Sequence, residues 1–156
     1  MDTKTLIIGL GNTLLRDDGA GIYAAREVKR QIQDHHNVDI VEASLGGIGL
    51  LDLMQGYDIV FIVDAIKTAN SVPGRILRCN VADLGKPTYA SGPHFLDVRT
   101  AVELGTRCGY KMPRHIEIFA VEIIDNTDFS ESLTPEVEKA IPLLAAEIIA
   151  EIQKGG

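Results

Sequence analysis

Five consecutive apolar residues, Ile59-Val60-Phe61-Ile62-Val63, stand between Asp58 and Asp64. A β-strand turns alternate side chains to opposite faces, so a short run that is apolar at every position must be covered on both. This is the pattern of a strand inside a parallel sheet clad by helices on each side; a strand with one wet face would alternate apolar and polar residues. The run also falls far short of the roughly 18 apolar residues needed to span a bilayer. The expectation is a soluble chain with no membrane partner.

The flanking sequence supplies the other pieces of such a sheet. Leu6-Ile7-Ile8 is a buried strand stopped at a tight turn by Gly9-Leu10-Gly11-Asn12. A helix follows from about Asp18, with Ile22, Ala25, Val28 and Ile32 along one stripe. Val38–Ala43 is the next strand, and a glycine loop with Gly46, Gly47 and Gly49 leads into a short helix that ends near Gly56. After the apolar run, a strand over 75–79, a long loop over 81–91, a helix opening at Pro93 and a strand over 116–121 continue the alternation. Thr134 is placed as the N-cap of a closing helix, with Pro135, Glu136 and Glu138 behind it and Pro142 in its body. Alternating strands and helices predict an α/β fold, a three-layer α/β/α sandwich around a mostly parallel sheet of about five strands. With no repeat, linker or low-complexity tract, residues 1–156 read as one domain, long enough to bury roughly 70% of its unfolded surface without a metal or disulfide staple.

Composition excludes other classes. Fifteen basic against 22 acidic residues give a formal charge of −7, the wrong sign for affinity that comes from neutralising phosphates, so nucleic acid is not an expected partner. Cys79 and Cys108 are too few for a disulfide framework and lack C-x-x-C spacing; they read as buried thiols in a reducing cytoplasm. The N-terminal Met-Asp-Thr-Lys has no export-signal pattern.

In open α/β sheets ligands sit beyond the carboxyl ends of the strands, which narrows the search for chemistry. Gly9-Leu10-Gly11 invites a dinucleotide reading, but Leu14 stands where the third glycine of G-x-G-x-x-G belongs. Asp17-Asp18 then opens the helix where a pyrophosphate needs positive potential, so no nucleotide is expected. Asp17 reads as a helix N-cap, leaving Asp18 available. Asp64 ends the apolar strand at the sheet's carboxyl edge, or else forms a turn. His35 and His36 lie in a polar turn and His115 at a strand start, whereas His94, in Ser91-Gly92-Pro93-His94, opens a helix whose dipole favours a neutral imidazole. Asp18, Asp64 and His94 could meet at one sheet edge, and two carboxylates with one imidazole suit a borderline divalent ion with open positions. Nucleophilic chemistry has less support: Glu42-Ala43-Ser44-Leu45-Gly46 lacks the first glycine of a G-x-S-x-G elbow, and Cys108 has no electropositive surroundings. The stretch from Glu117 to Glu138 holds seven acids and no base and reads as a solvated loop and helix start.

The segment Leu6-Ile-Ile-Gly-Leu-Gly-Asn-Thr-Leu-Leu-Arg-Asp-Asp-Gly-Ala-Gly-Ile22 resembles the opening signature of the hydrogenase maturation endopeptidases. Gly46-Gly-Ile-Gly-Leu-Leu-Asp-Leu53, Asp58-Ile-Val-Phe-Ile-Val-Asp-Ala65, Ser91-Gly-Pro-His94 and Ser132-Leu-Thr-Pro-Glu-Val137 follow in the family's order. The resemblance implies a cytoplasmic endopeptidase that removes the C-terminal extension of a nickel–iron hydrogenase large-subunit precursor. It implies Asp18, Asp64 and His94 as nickel ligands and catalytic residues, with the nickel brought by the precursor. Asn12 and the glycines Gly46, Gly47 and Gly49 would shape the substrate cleft, Asn12 by fixing its turn. Some members carry Asp-Gly-Gly-Thr in the second glycine loop; Ser44-Leu45-Gly46-Gly47 stands here, so the catalytic role given to that Asp has no carrier. A self-contained metallopeptidase of other specificity and a non-catalytic chaperone of metal-centre assembly are the alternative readings.

Overall fold

The computed structural model describes residues 2–33, 35–44, 48–81 and 93–155, with backbone alone at 48 and 93–97. The apolar run lies in the strand β3 (Ile59–Ile66), where every residue but Ala65 is buried. On one side β3 pairs in parallel with β1 (Thr5–Leu10), which pairs in parallel with β2 (Val38–Ala43). On the other it pairs in parallel with β5 (His115–Glu122), and the edge strand β4 (Ile76–Asn80) joins β5 antiparallel. The order is β2-β1-β3-β5-β4, a five-stranded sheet with one reversed edge. The α/β sandwich expected from the residues is therefore the fold observed. The reversal has one consequence: the carboxyl end of β4, at Cys79–Asn80, lies at the opposite edge from those of the other strands.

Strand pleat sorts the core into two layers. Ile7, Phe61, Val63, Phe119 and Val121 face α1 (Ala20–Gln31) and α4 (Pro135–Lys154), meeting Ala24, Val28, Leu144 and Ile148. Leu6, Ile8, Val60, Ile62 and Ile118 face α2 (Ile48–Met54) and α3 (Pro93–Arg107), meeting Leu50, Met54, Val98 and Ala101. The helix α4 continues through Pro142, whose ring is on the exposed side. Cys79 is buried, but Cys108 is exposed after α3, which corrects its reading as a buried thiol. His35, His36 and His115 are exposed, as their polar turns and strand start suggest. No helix among the described residues is long and apolar enough to cross a membrane.

Candidate active site

The carboxyl edge of the sheet is built around the first loop. Beyond β1 the chain turns at Gly11 with φ 144°, a conformation that side chains disfavour. A Cβ there would also stand 2.0 Å from the Asp18 carbonyl oxygen. Asn12 fixes the turn from both ends: its Oδ1 accepts the Leu14 N–H at 2.9 Å, and its own N–H donates to Asp18 Oδ2 at 3.0 Å. A short 3-10 turn, Arg16–Gly19, leads into α1. A Cβ on Gly21 would lie 2.3 Å from the Val63 oxygen and 2.5 Å from the Leu10 oxygen, so α1 begins against the ends of β1 and β3. The glycines of the opening signature thereby hold Asp18, half-buried, at the edge where β3 delivers Asp64.

Asp64 is 1% exposed, and its Oδ1 accepts the Ala65 N–H at 2.8 Å. It stands opposite Ala120 of β5 and, by the alternation of β3, on the face covered by α2 and α3. The helix α3 packs on that face through Val98 and Ala101 and ends on the way to β5, which starts at the amino edge. Its first turn, with His94, therefore lies towards the carboxyl edge; the imidazole is outside the described side chains. Gly46 and Gly47, like the loop beyond Val81, are outside the described residues, while Gly49 lies in α2. Gly11, Asn12, Ile22 and Ser44 line a cleft of about 320 Å³ at this edge. A larger depression of about 650 Å³, between α1 and α4, is lined by Tyr23, Arg26 and Glu138 and includes none of the candidate residues.

Two carboxylates, one from the loop after β1 and one from the end of its sheet neighbour β3, are suitable oxygen donors for a divalent cation. Among the described residues no group of three or more His, Cys, Asp and Glu converges into a metal site. With an imidazole such as that of His94 as a third donor, the set would have the chemistry of a borderline-ion site such as one for nickel.

Asp17 does not cap α1. Gly19 takes the N-cap position and no side chain caps it. The Asp17 carboxylate, 1% exposed, instead accepts the Thr134 N–H at 2.8 Å and the Thr134 hydroxyl at 2.7 Å. Thr134 thus stands at the start of α4 as expected, but its hydroxyl donates to Asp17 rather than capping its own helix. The backbone adds three ties between these loops. Ser130 N–H donates to Leu14 O at 3.0 Å, Arg16 N–H to Ser130 O at 2.9 Å, and Asp17 N–H to Asp125 O at 3.3 Å. The acid-rich segment after β5 is therefore a clamp on the first loop as well as a solvated stretch. Asp17 and Thr134 are 117 residues apart, and no local pattern announces their pairing.

A second buried acid at this edge also escaped the sequence reading. Glu122 ends β5 with no exposed surface. It accepts the Thr68 hydroxyl at 2.6 Å, the Val72 N–H at 3.1 Å and the Arg75 guanidinium at 2.6 Å. Burial pushes its carboxyl up, but Arg75 and these hydrogen bonds outweigh burial and hold it below its ordinary 4.5. It secures the connection between β3 and β4.

The profile of a family described as hydrogenase maturation protease matches residues 22–151. The chain belongs to that family. The match includes Asp64 and His94 and starts just after the loop with Asp18. Relatives of this maturation protease include a hydrogenase expression/formation protein of Bradyrhizobium diazoefficiens, 28% identical, with 96% of this chain and 80% of that protein covered. The hydrogenase 2 maturation protease of Escherichia coli K12 is 24% identical, with 98% and 93% covered. In fold, the chain resembles the hydrogenase maturating endopeptidase HybD of E. coli, with a TM-score of 0.83, 23% identity, and 99% and 94% of the two chains covered. The HybD-type protease of Thermococcus kodakarensis gives a TM-score of 0.74 at 22% identity, with 96% and 99% covered.

Proposed function

We propose that this protease removes the C-terminal extension of a nickel–iron hydrogenase large-subunit precursor in the cytoplasm, after nickel has entered the precursor. The observation that carries this reading is the placement of Asp18 and Asp64 at one sheet edge, with the first turn of α3 and His94 towards the same edge, in a chain of the hydrogenase maturation protease family. In this reading the nickel is part of the substrate. Asp18, Asp64 and His94 complete its coordination and so position the scissile peptide beside it. Substrate-borne nickel supplies a Lewis acid to polarise the carbonyl or lower the pKa of water. A carboxylate of the pair receives the proton of the attacking water and passes it to the leaving amine, as a general base and acid. In this reading the turn held by Asn12 bounds the path of the tail, and Gly46, Gly47 and Gly49 are its further candidate contacts. A protein that requires metal in its substrate acts only on a completed precursor, which separates this reading from a self-contained metallopeptidase.

The test mixes purified protein with nickel-loaded and nickel-free precursor and follows the mass of the large subunit. Loss of the tail from the loaded precursor alone is the expected result, with Asp18→Ala, Asp64→Asn and His94→Ala each slowing it roughly a hundredfold or more. Equal cleavage of both precursors, or unchanged rates in the variants, overturns the proposal. A stable complex without mass loss would assign the chain to assembly chaperones instead.

A further inference from the structure

The described surface carries seven exposed large apolar side chains, and four of them gather at the carboxyl edge: Leu14, Val72, Ile124 and Phe129. They sit on the loops after β1, β3 and β5, around the edge that holds Asp18 and Asp64. Phe129 is 87% exposed, Ile124 60% and Leu14 54%. Backbone pairing makes these loops neighbours: Ser130, next to Phe129, brackets Leu14 and Arg16, and Asp125, next to Ile124, meets Asp17. The hydrogen bonds from Thr134 to buried Asp17 tie the far end of the segment to the first loop. Isolated apolar residues on a surface are ordinary, but several on adjoining loops beside a catalytic edge mark an interaction surface.

The segment that carries Ile124 and Phe129 is acidic. Asp125, Asp128 and Glu131 flank Ile124 and Phe129, and no Lys or Arg occurs from Glu117 to Glu138. Arg16 faces Asp125 and Asp128 and offsets one of those charges. The Thr127 N–H, the Asp128 carboxyl and the Asp128 N–H hold the Asp125 carboxyl down at about 2, so it is ionised near neutrality, while the Asp125 charge pushes the Asp128 carboxyl up.

We infer that Leu14, Ile124 and Phe129 form a docking ridge for the folded part of the precursor, one that takes an apolar side chain flanked by Lys or Arg, outside the tail that is removed. This rests on the proposed function and names how its substrate is held. An aromatic anchor inside a charged rim is the usual composition of a binding hot spot, and complementary charge speeds the encounter. The ridge and the carboxylates then divide the labour: the first captures the body of the precursor, the second engages its tail.

The test measures steady-state cleavage of nickel-loaded precursor by the wild type, Phe129→Ser, and a Leu14→Ser/Ile124→Ser/Phe129→Ser triple variant. These side chains are exposed, so thermal melting should match the wild type and exclude misfolding. The expected result is a KM about tenfold or more higher in the variants with kcat within twofold, and a wild-type KM that rises with ionic strength. A wild type that cleaves, with KM unchanged in the triple variant, overturns the ridge and leaves the functional reading intact. If the wild type binds precursor without cleaving it, the functional reading fails; weaker binding by the triple variant still supports the ridge and equal binding overturns it. A wild type that neither cleaves nor binds overturns both. A concentration-dependent dimer of the wild type, lost in Phe129→Ser, would give the ridge to a second copy of the chain and also overturn the inference.

Discussion

Two adjacent aspartates with one chemistry have been given different tasks by burial. Asp17 is enclosed and spends both oxygens on Thr134; Asp18, one residue later, is half-buried and turns one oxygen to the Asn12 N–H. Replacing Asp17 with Ala orphans the Thr134 amide and hydroxyl beside the start of α4. A hydrogen bond to a charged group contributes about 1.5–3 kcal/mol, and leaving a buried partner unmet adds to the loss. Asp17→Ala is expected to lower stability by about 3 kcal/mol, read as a shift of the urea midpoint at unchanged slope. A stability within about 0.5 kcal/mol of wild type, from the midpoint shift multiplied by that slope, would show that the contact contributes little.

At the scale of elements, the sheet's carboxyl edge is assembled from loops that hold one another. The first loop is clamped by the segment after β5, and the β3–β4 connection is pinned by Glu122 at the end of β5. This second pin gives a pH dependence with a definite sign. The folded carboxyl of Glu122 lies below its ordinary 4.5, so its stabilisation is complete above that value and is lost as pH falls through the lower folded value. Glu122→Gln is therefore expected to destabilise the protein at pH 7 by about 2 kcal/mol, since an amide cannot accept from all three donors. The deficit should shrink as pH drops below about 4, because the wild-type carboxyl then protonates and loses its advantage. Unfolding curves for both proteins between pH 3 and 7 would reveal this convergence; parallel curves would contradict it.

The whole molecule has two core layers on one shared sheet, with α1 and α4 over one face and α2 and α3 over the other. Neither layer is complete without β1, β3 and β5, so the layers should unfold together. Tyr23 is packed against one layer and Tyr57 against the other, in a chain with no Trp. Tyrosine fluorescence and far-UV circular dichroism are expected to give coincident denaturation curves; separate transitions would argue for two units in residues 1–156. Much of this architecture could be read from the residues. The doubly apolar run 59–63 required a sheet covered on both faces, the glycines around Asp18 required a tight turn at a strand end, and Asp64 closed an apolar strand at its carboxyl edge. These are local properties: period, steric permission and the position of a charge beside an apolar run. The reversed direction of β4, the pairing of Asp17 with Thr134, the enclosure of Glu122 and the gathering of Leu14, Ile124 and Phe129 were decided only in three dimensions. Each depends on which distant backbone groups come within hydrogen-bonding or packing distance, and a linear pattern carries no signal for a partner 50 to 120 residues away. Sequence alone therefore determined the layers and the candidate carboxylates, whereas tertiary packing determined which acids became structural ties between distant segments and which stayed candidates at the sheet's carboxyl edge.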